Sequence, residues 1–240
     1  MSTELKLLNQ FNISLMIIIL KIPIFILLII SKNVFALEPY TAEYKFKNNG
    51  MTFAKSIHKL QRLDDSWSFI TNSTTVGIFS LKHDERMETS KFSIVNSKPL
   101  TFNYEYYQEK SSKIQSIVTL RNQNNILISY IDDKMIMHNI KYQTDRLLTQ
   151  VFGYKYIKDD YIPTLDKSRE RMYRFTLVGF ENINTIFGDI KTIVVKKIID
   201  KSKRSTITWY AIDYDYLPVK IEQYRLDELK FTAEISDYNK

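Results

Sequence analysis

Tyr40-Thr41-Ala42-Glu43-Tyr44-Lys45-Phe46-Lys47-Asn48-Asn49-Gly50 is the stretch on which the fold turns. Tyr40, Ala42, Tyr44 and Phe46 alternate with Thr41, Glu43, Lys45 and Lys47. In an extended chain, successive side chains point to opposite faces, so this run has one apolar and one polar side. Asn-Gly then favours a tight hairpin turn. The sequence predicts a strand, a turn, and a second strand from Met51 to Arg62. Asp64-Asp65-Ser66 predicts another turn, and Trp67, Phe69 and Thr71 begin a third strand.

The same pattern extends along the chain. Phe102, Tyr104 and Tyr106 share a face, as do Ile114, Ser116, Val118 and Leu120. Turns are expected at Asn122–Asn125, at Asp132-Asp133 and at Gly188-Asp189. Tyr173, Phe175 and Leu177 share a face before Gly179. Ile207, Trp209 and Ala211 alternate with Thr206, Thr208 and Tyr210. Leu217, Val219 and Ile221 alternate with Pro218, Lys220 and Glu222. Turn signals at short intervals, with β-branched and aromatic residues between them, indicate an antiparallel all-β domain.

One segment departs from period two. Asp145 offers an N-cap, Leu147, Leu148, Val151 and Phe152 form one stripe, and Gly153 offers a stop, so a short helix is predicted near 145–152. Lys155–Ser168, with Asp159-Asp160 and Pro163, reads as a loop. The expected fold class is all-β, mainly antiparallel. It is either a single strongly curved sheet or an open barrel with that one helix. An integral outer-membrane barrel is rejected, because Glu43, Lys45, Lys220 and Glu222 occupy faces that lipid would have to cover.

The first 36 residues are different in character. Leu15–Ile30 is apolar except for Lys21, with Pro23 inside it, and Val34-Phe35-Ala36 supplies a cleavage-type ending. Basic, apolar and small residues in that order predict a secretory signal over 1–36. The single β-rich domain is then 37–240. A membrane-spanning helix needs about 20 apolar residues, more than this stretch has. No stable span is expected once the signal is cleaved; if it is retained, it anchors the protein to the inner membrane.

The whole chain has 240 residues, a net charge of +7, 44% hydrophobic residues and no cysteine. Removing Glu4, Lys6, Lys21 and Lys32 with the signal leaves 31 basic and 26 acidic residues, a net +5. That mild excess, without basic–aromatic interleaving, gives no footprint for nucleic acid. Zero cysteine excludes disulfides, a thiolate metal site, a cysteine nucleophile and a lipid-modified cysteine.

Little in the sequence carries catalytic chemistry. No Gly-x-Ser-x-Gly, Ser-x-x-Lys or phosphate loop occurs. Asp132-Asp133, Asp159-Asp160 and Asp213 with Asp215 sit where turns are expected, and Asp suits turns for backbone reasons. His58, His83 and His138 are far apart, and no metal or cofactor is expected. His83–Thr89 is the most charged stretch of a predicted strand. Its preferred reading is an exposed edge protected by charge, ahead of a polar patch inside or at the mouth of a barrel.

The aromatic content is the positive signal. Residues 37–240 keep both Trp, all 16 Tyr and 11 of 14 Phe. Such a load builds sheet cores, and it also builds apolar walls for a lipid-like ligand. Candidate ligand-binding residues are Tyr44, Phe46, Trp67, Phe69, Tyr104, Phe175 and Trp209.

The C-terminal half also carries a resemblance. Tyr173-Arg174-Phe175, Val178-Gly179, Phe187–Val195, Thr208-Trp209-Tyr210-Ala211 and Tyr216–Glu222 resemble the bacterial exported family catalogued as domain of unknown function 3108. Pro39–Tyr44, Gly77-Ile78-Phe79-Ser80 and Asp145-Arg146-Leu147 fit the same pattern. The resemblance implies an exported, mostly β protein of the Gram-negative envelope, with no catalytic residues to carry over. At the level of fold alone it is similar to curved-sheet periplasmic carriers of lipoproteins and lipids. The expected function is therefore a periplasmic, non-enzymatic protein that binds a lipid or acyl chain on an apolar concave face. The alternative is an envelope module that binds a protein partner, and a hydrolase is the least favoured reading.

Overall fold

The computed structural model describes residues 37–240 except Lys82 and Ile140. The predicted signal over 1–36 lies outside the described residues. Glu38–Lys240 forms one compact unit.

The opening hairpin forms as its residues dictate. β1 (Tyr40–Asn48) pairs antiparallel with β2 (Met51–Leu63). Asn49 and Gly50 connect them at φ 47° and 77°, the left-handed pair that a twisted two-residue turn requires. β3 (Ser66–Thr75), β4 (Asp84–Val95), β5 (Lys98–Lys110), β6 (Lys113–Arg121), β7 (Leu127–Ile131) and β8 (Lys134–Met137) follow as a meander. The second half starts with β9 (Thr144–Asp145) and the helix α1 (Arg146–Phe152). β10 (Ile162–Asp166), β11 (Arg169–Thr185), β12 (Gly188–Ile199), β13 (Arg204–Ala211), β14 (Leu217–Arg225) and β15 (Glu228–Asn239) complete it.

All the strands belong to one sheet. Its order runs from β8 down to β1, then from β15 down to β9, so the first and last strands meet at its midline. Every pairing is antiparallel except β9 with β10. The sheet is not closed, but it curls far enough for the segment before β9 to reach β5. There the Thr101 N–H donates to the Gln143 carbonyl at 2.9 Å. The Arg121 guanidinium ties the same place together, donating to the carbonyls of Thr101 and Gln143.

α1 fills part of the concave side. Leu147, Leu148, Val151 and Phe152 are buried, and the Phe152 ring meets Phe92 edge-on at 5.6 Å. Asp145 caps the helix, and its fully buried carboxylate accepts four hydrogen bonds. Two come from the Leu147 and Leu148 N–H groups, and two from the Ser90 and Thr101 hydroxyls. Gly153 does not end the helix in a left-handed turn. Its φ is −54°, and the chain continues as a 3₁₀ turn over Gly153–Tyr156. Glycine is needed there for room, because a Cβ would lie 2.5 Å from the Tyr210 hydroxyl and 3.0 Å from the Phe175 ring.

Three expectations need correction. Ile162–Asp166, read as loop, is a strand; its Pro163 is tolerated because β10 lies one strand from the sheet edge, beside the two-residue β9. Gly179 does not end a strand, since β11 bulges at Val178, pairs again from Gly179 opposite Val194 and runs on to Thr185. The charged run at 84–89 is not at an edge, because β4 lies between β3 and β5.

Candidate functional site

The concave face is neither empty nor filled throughout. At one end, Ala42, Tyr44, Val219, Ile235 and their neighbours form a tight core. The Tyr44 hydroxyl there donates to the Pro218 carbonyl at 2.6 Å. Toward the other end, a cavity of about 370 Å³ remains between α1 and the sheet. That volume falls within the range of small-ligand sites, about 300–1,000 Å³.

Period two explains which side chains reach the cavity. Cross-strand pairing places Phe175, Lys197, Thr206, Gln223 and Phe231 in one row from β11 to β15. A second row crosses from β1 to β4: Tyr44 and Ser56 are buried in the core, and Ser73 and Arg86 reach the cavity. The sheet midline supplies the apolar floor: Phe46 and Ala233 lie opposite each other across β1 and β15. Phe46, Phe53 and Phe231 cluster with ring centroids 5.4–6.3 Å apart.

The polar wall is organised by Arg146, from the first turn of α1. Its Nε donates to Glu88 Oε2 at 2.9 Å, and a second guanidinium nitrogen contacts Glu88 Oε1. Nη1 lies 3.7 Å from Asp166 on β10, so one side chain links the β4 and β10 walls. Glu88 is 4% exposed and also accepts from the Tyr104 hydroxyl at 2.9 Å. Burial alone would raise its pKa, but Arg146 overrides burial and holds the carboxyl below its usual range.

His58 lines the cavity and packs against Tyr44, with ring centroids 4.3 Å apart and the planes tilted by 37°. Burial drives its pKa down to about 3. The unfolded chain takes up a proton on this ring below its ordinary value of 6.5, whereas the folded chain resists until about 3. Stability from His58 is thus present above pH 6.5 and lost as pH falls through that window. Wild type should lose about 2 kcal/mol more than His58→Phe between pH 7.5 and pH 5. Urea unfolding of both proteins at the two pH values measures this, and equal losses would refute it.

The residues proposed from sequence divide between core and cavity. Phe46 and Phe175 line the cavity. Tyr44, Phe69 and Tyr104 are fully buried in the concave core, with Tyr104 engaged by Glu88. Trp67 lies at the start of β3, opposite Arg62 and Phe92. Trp209 is 6% exposed and packs in the core cluster with Ala42, Tyr44, Val219 and Ile235, whereas its neighbours Thr208 and Tyr210 line the cavity. Its indole N–H donates to Glu181 at 2.8 Å, and Lys220 lies 4.3 Å over its ring. Asp84, Arg86 and Glu88, in the charged run whose second reading is a polar patch, line the cavity; the lining residues that the sequence reading missed include the charged Arg146, Asp166, Lys197 and Arg204 and the aromatic Phe53 and Phe231. For Lys197 the signal was period two itself, because it shares a face with Val195 and Ile199 inside an apolar run.

Among the described residues, no group of three His, Asp or Glu side chains is arranged to hold a metal. None of the described helices is long and apolar enough to cross a membrane.

Solved structures similar to this chain include two bacterial proteins. One is a candidate exported protein with a YmcC-like fold from Bacteroides fragilis. It is 13% identical, with a TM-score of 0.37, and the match covers 85% of this chain and 97% of that one. The other is a candidate lipoprotein from Parabacteroides distasonis. It is 11% identical, with a TM-score of 0.35, and the match covers 85% and 96%. No curated protein matches. The family described as "Protein of unknown function (DUF3108)" matches residues 39–234, and the chain belongs to that family.

Proposed function

We propose that this is an exported, non-catalytic carrier that holds a lipid-like or acyl ligand between α1 and the concave sheet face, in the periplasm. The carrying observation is the cavity itself. A helix already occupies the concave side, yet an apolar floor of Phe46, Phe53, Phe231, Ile221 and Ala233 remains open to it. The basic–apolar–small order of residues 1–36 supports export. The commitment of Glu88 and Asp166 to Arg146 supports a binding role, since neither acid is free to act as a base.

Native mass spectrometry of protein isolated from the cell envelope, with lipid extraction, tests this reading. A bound single-chain lipid is expected. Ala54→Trp, which fills the cavity from β2, should weaken dodecanoate binding by at least about ten-fold while leaving the melting temperature within a few degrees. If neither extracted lipid nor added dodecanoate binds the wild type, the reading fails.

One observation favours the second reading, an interaction module. β8 is a free edge strand with Met135 and Met137 exposed at 60% and 59%, a surface that another strand could extend. In-cell cross-linking from Lys134 that recovers no specific protein would count against it.

A further inference from the structure

We infer that the cavity selects amphiphiles with an anionic end, a carboxylate or a phosphate, which seats between Lys197 on β12 and Arg86 on β4 while the chain runs along the floor to Phe53 and Phe231. This rests on the acyl-binding reading above and adds the chemistry of the ligand's head.

The argument begins with charge that the protein leaves unneutralised. Seven charged side chains line the cavity. Arg86, Arg146, Lys197 and Arg204 face Asp84, Glu88 and Asp166. Glu88 and Asp166 are taken by Arg146. Asp84 accepts a hydrogen bond from Gln108 at 2.7 Å and lies 4.0 Å from Arg86. Lys197 makes no ion pair among the described residues, and its ammonium lies 5.0 Å from the centre of the Tyr173 ring. The Arg86 Nε is buried without a hydrogen-bond partner. The rest of the Arg86 side chain lines the cavity, and its one ion-pair neighbour among the described residues, Asp84, comes no closer than 4.0 Å to Nη2, which leaves its charge available to a bound anion.

The surroundings of Lys197 point the same way. Burial and the nearby Arg146 lower its pKa to about 8, while Asp166 and Glu88 only partly offset them. Lys167 adds another positive charge at this end, its ammonium 3.7 Å from the centre of the Tyr106 ring and its pKa also lowered to about 8. An anion beside Lys197 would restore full protonation, so anion binding takes up a proton near pH 8.

The geometry supplies the rest of the ligand. From Lys197 the row runs through Thr206 and Gln223 to Phe231, three strand spacings away, or about 14 Å. Phe175 and Tyr173 flank Lys197, Thr206 and Gln223 follow it along the row, and the Phe46, Phe53 and Phe231 cluster closes the far end, so a charged head site and an apolar end lie in one row.

The test compares twelve-carbon probes by isothermal titration: dodecanoate, dodecyl phosphate and dodecanol. Both anions should bind about ten-fold or more tighter than the alcohol. Lys197→Met and Arg86→Met should each reduce that ratio of anion to alcohol affinity toward unity, and Lys197→Arg should keep it. Affinity for dodecanoate should fall between pH 7 and 9.5, and that for dodecanol should not. Tighter binding of dodecanoate identifies a fatty-acid-type head, and tighter binding of dodecyl phosphate a phospholipid-type head. Equal binding of alcohol and anions overturns this inference and leaves the acyl reading standing. Binding of none of the three overturns both. Thermal melts confirm that each variant is folded, and if Lys197→Met unfolds, Lys197→Arg and the pH series still decide.

Discussion

Arg146→Ala is expected to destabilise the protein by about 3–5 kcal/mol, the usual cost of removing one partner from a buried pair. The cost comes from what remains. Glu88 is 4% exposed, and without the guanidinium its charge keeps only the Tyr104 hydroxyl as a hydrogen-bond donor. The double variant Arg146→Met with Glu88→Gln removes both charges and should lose much less than the sum of the singles, because the two residues are coupled. The pH dependence should also change sign. In wild type, the Glu88 pKa is held below its ordinary 4.5, so its stabilisation is present above that value and is lost on acidification through the folded pKa. In Arg146→Ala, burial dominates and raises the Glu88 pKa, so acid relieves part of the defect. Urea unfolding from pH 4 to 8 reads all three effects. A loss below about 1 kcal/mol for Arg146→Ala would show that the pair is not desolvated as described.

Asp145→Ala should cost a similar amount, about 3–5 kcal/mol. Losing an N-cap alone costs about 1 kcal/mol. Here the same carboxylate also satisfies the buried Ser90 and Thr101 hydroxyls, and each dry orphan adds about 1–3 kcal/mol. Burial raises the Asp145 pKa, against the pull of its four hydrogen bonds. Asp145→Asn, which keeps shape and some hydrogen bonding without a charge, should therefore be the milder change. Thermal melts give the stability, and limited thermolysis between residues 146 and 156 shows whether α1 has come loose. Equal effects of Ala and Asn would mean that one retained oxygen contributes nothing and that the pair of carboxylate oxygens acts only as a unit.

How far the sequence could be read depended on the range of the physics involved. The β1–β2 hairpin and the Asp145 cap were legible because alternation, Asn-Gly and an acidic N-cap act within a few residues. β10 was not, because Ile162–Asp166 is short, contains Pro163, and is strand only through its partners β9 and β11. The aromatic wall was half legible. Phe46 and Phe175 reach the cavity, whereas Trp209 is packed into the core cluster with Tyr44 and Val219, beside a bulge between Trp209 and Tyr210. The polar wall was hidden for a different reason. Arg86, Glu88, Arg146, Asp166 and Lys197 come from β4, α1, β10 and β12, and only the curl of the sheet brings them together.

The midline pairing of β1 with β15 sets the order in which the molecule can be completed. Thr41 lies opposite Asn239, so this ladder joins residues roughly 200 apart and closes the largest loop available to the chain. The strands on either side pair mostly with their immediate neighbours in sequence and can form as successive hairpins. Such topology predicts slow folding governed by its last and least local step. Until the final dozen residues arrive, β1 is a bare edge of alternating Tyr and Phe, the kind of surface that aggregates or recruits a chaperone. A chain built this way stays unfinished until β15 is in place beside β1.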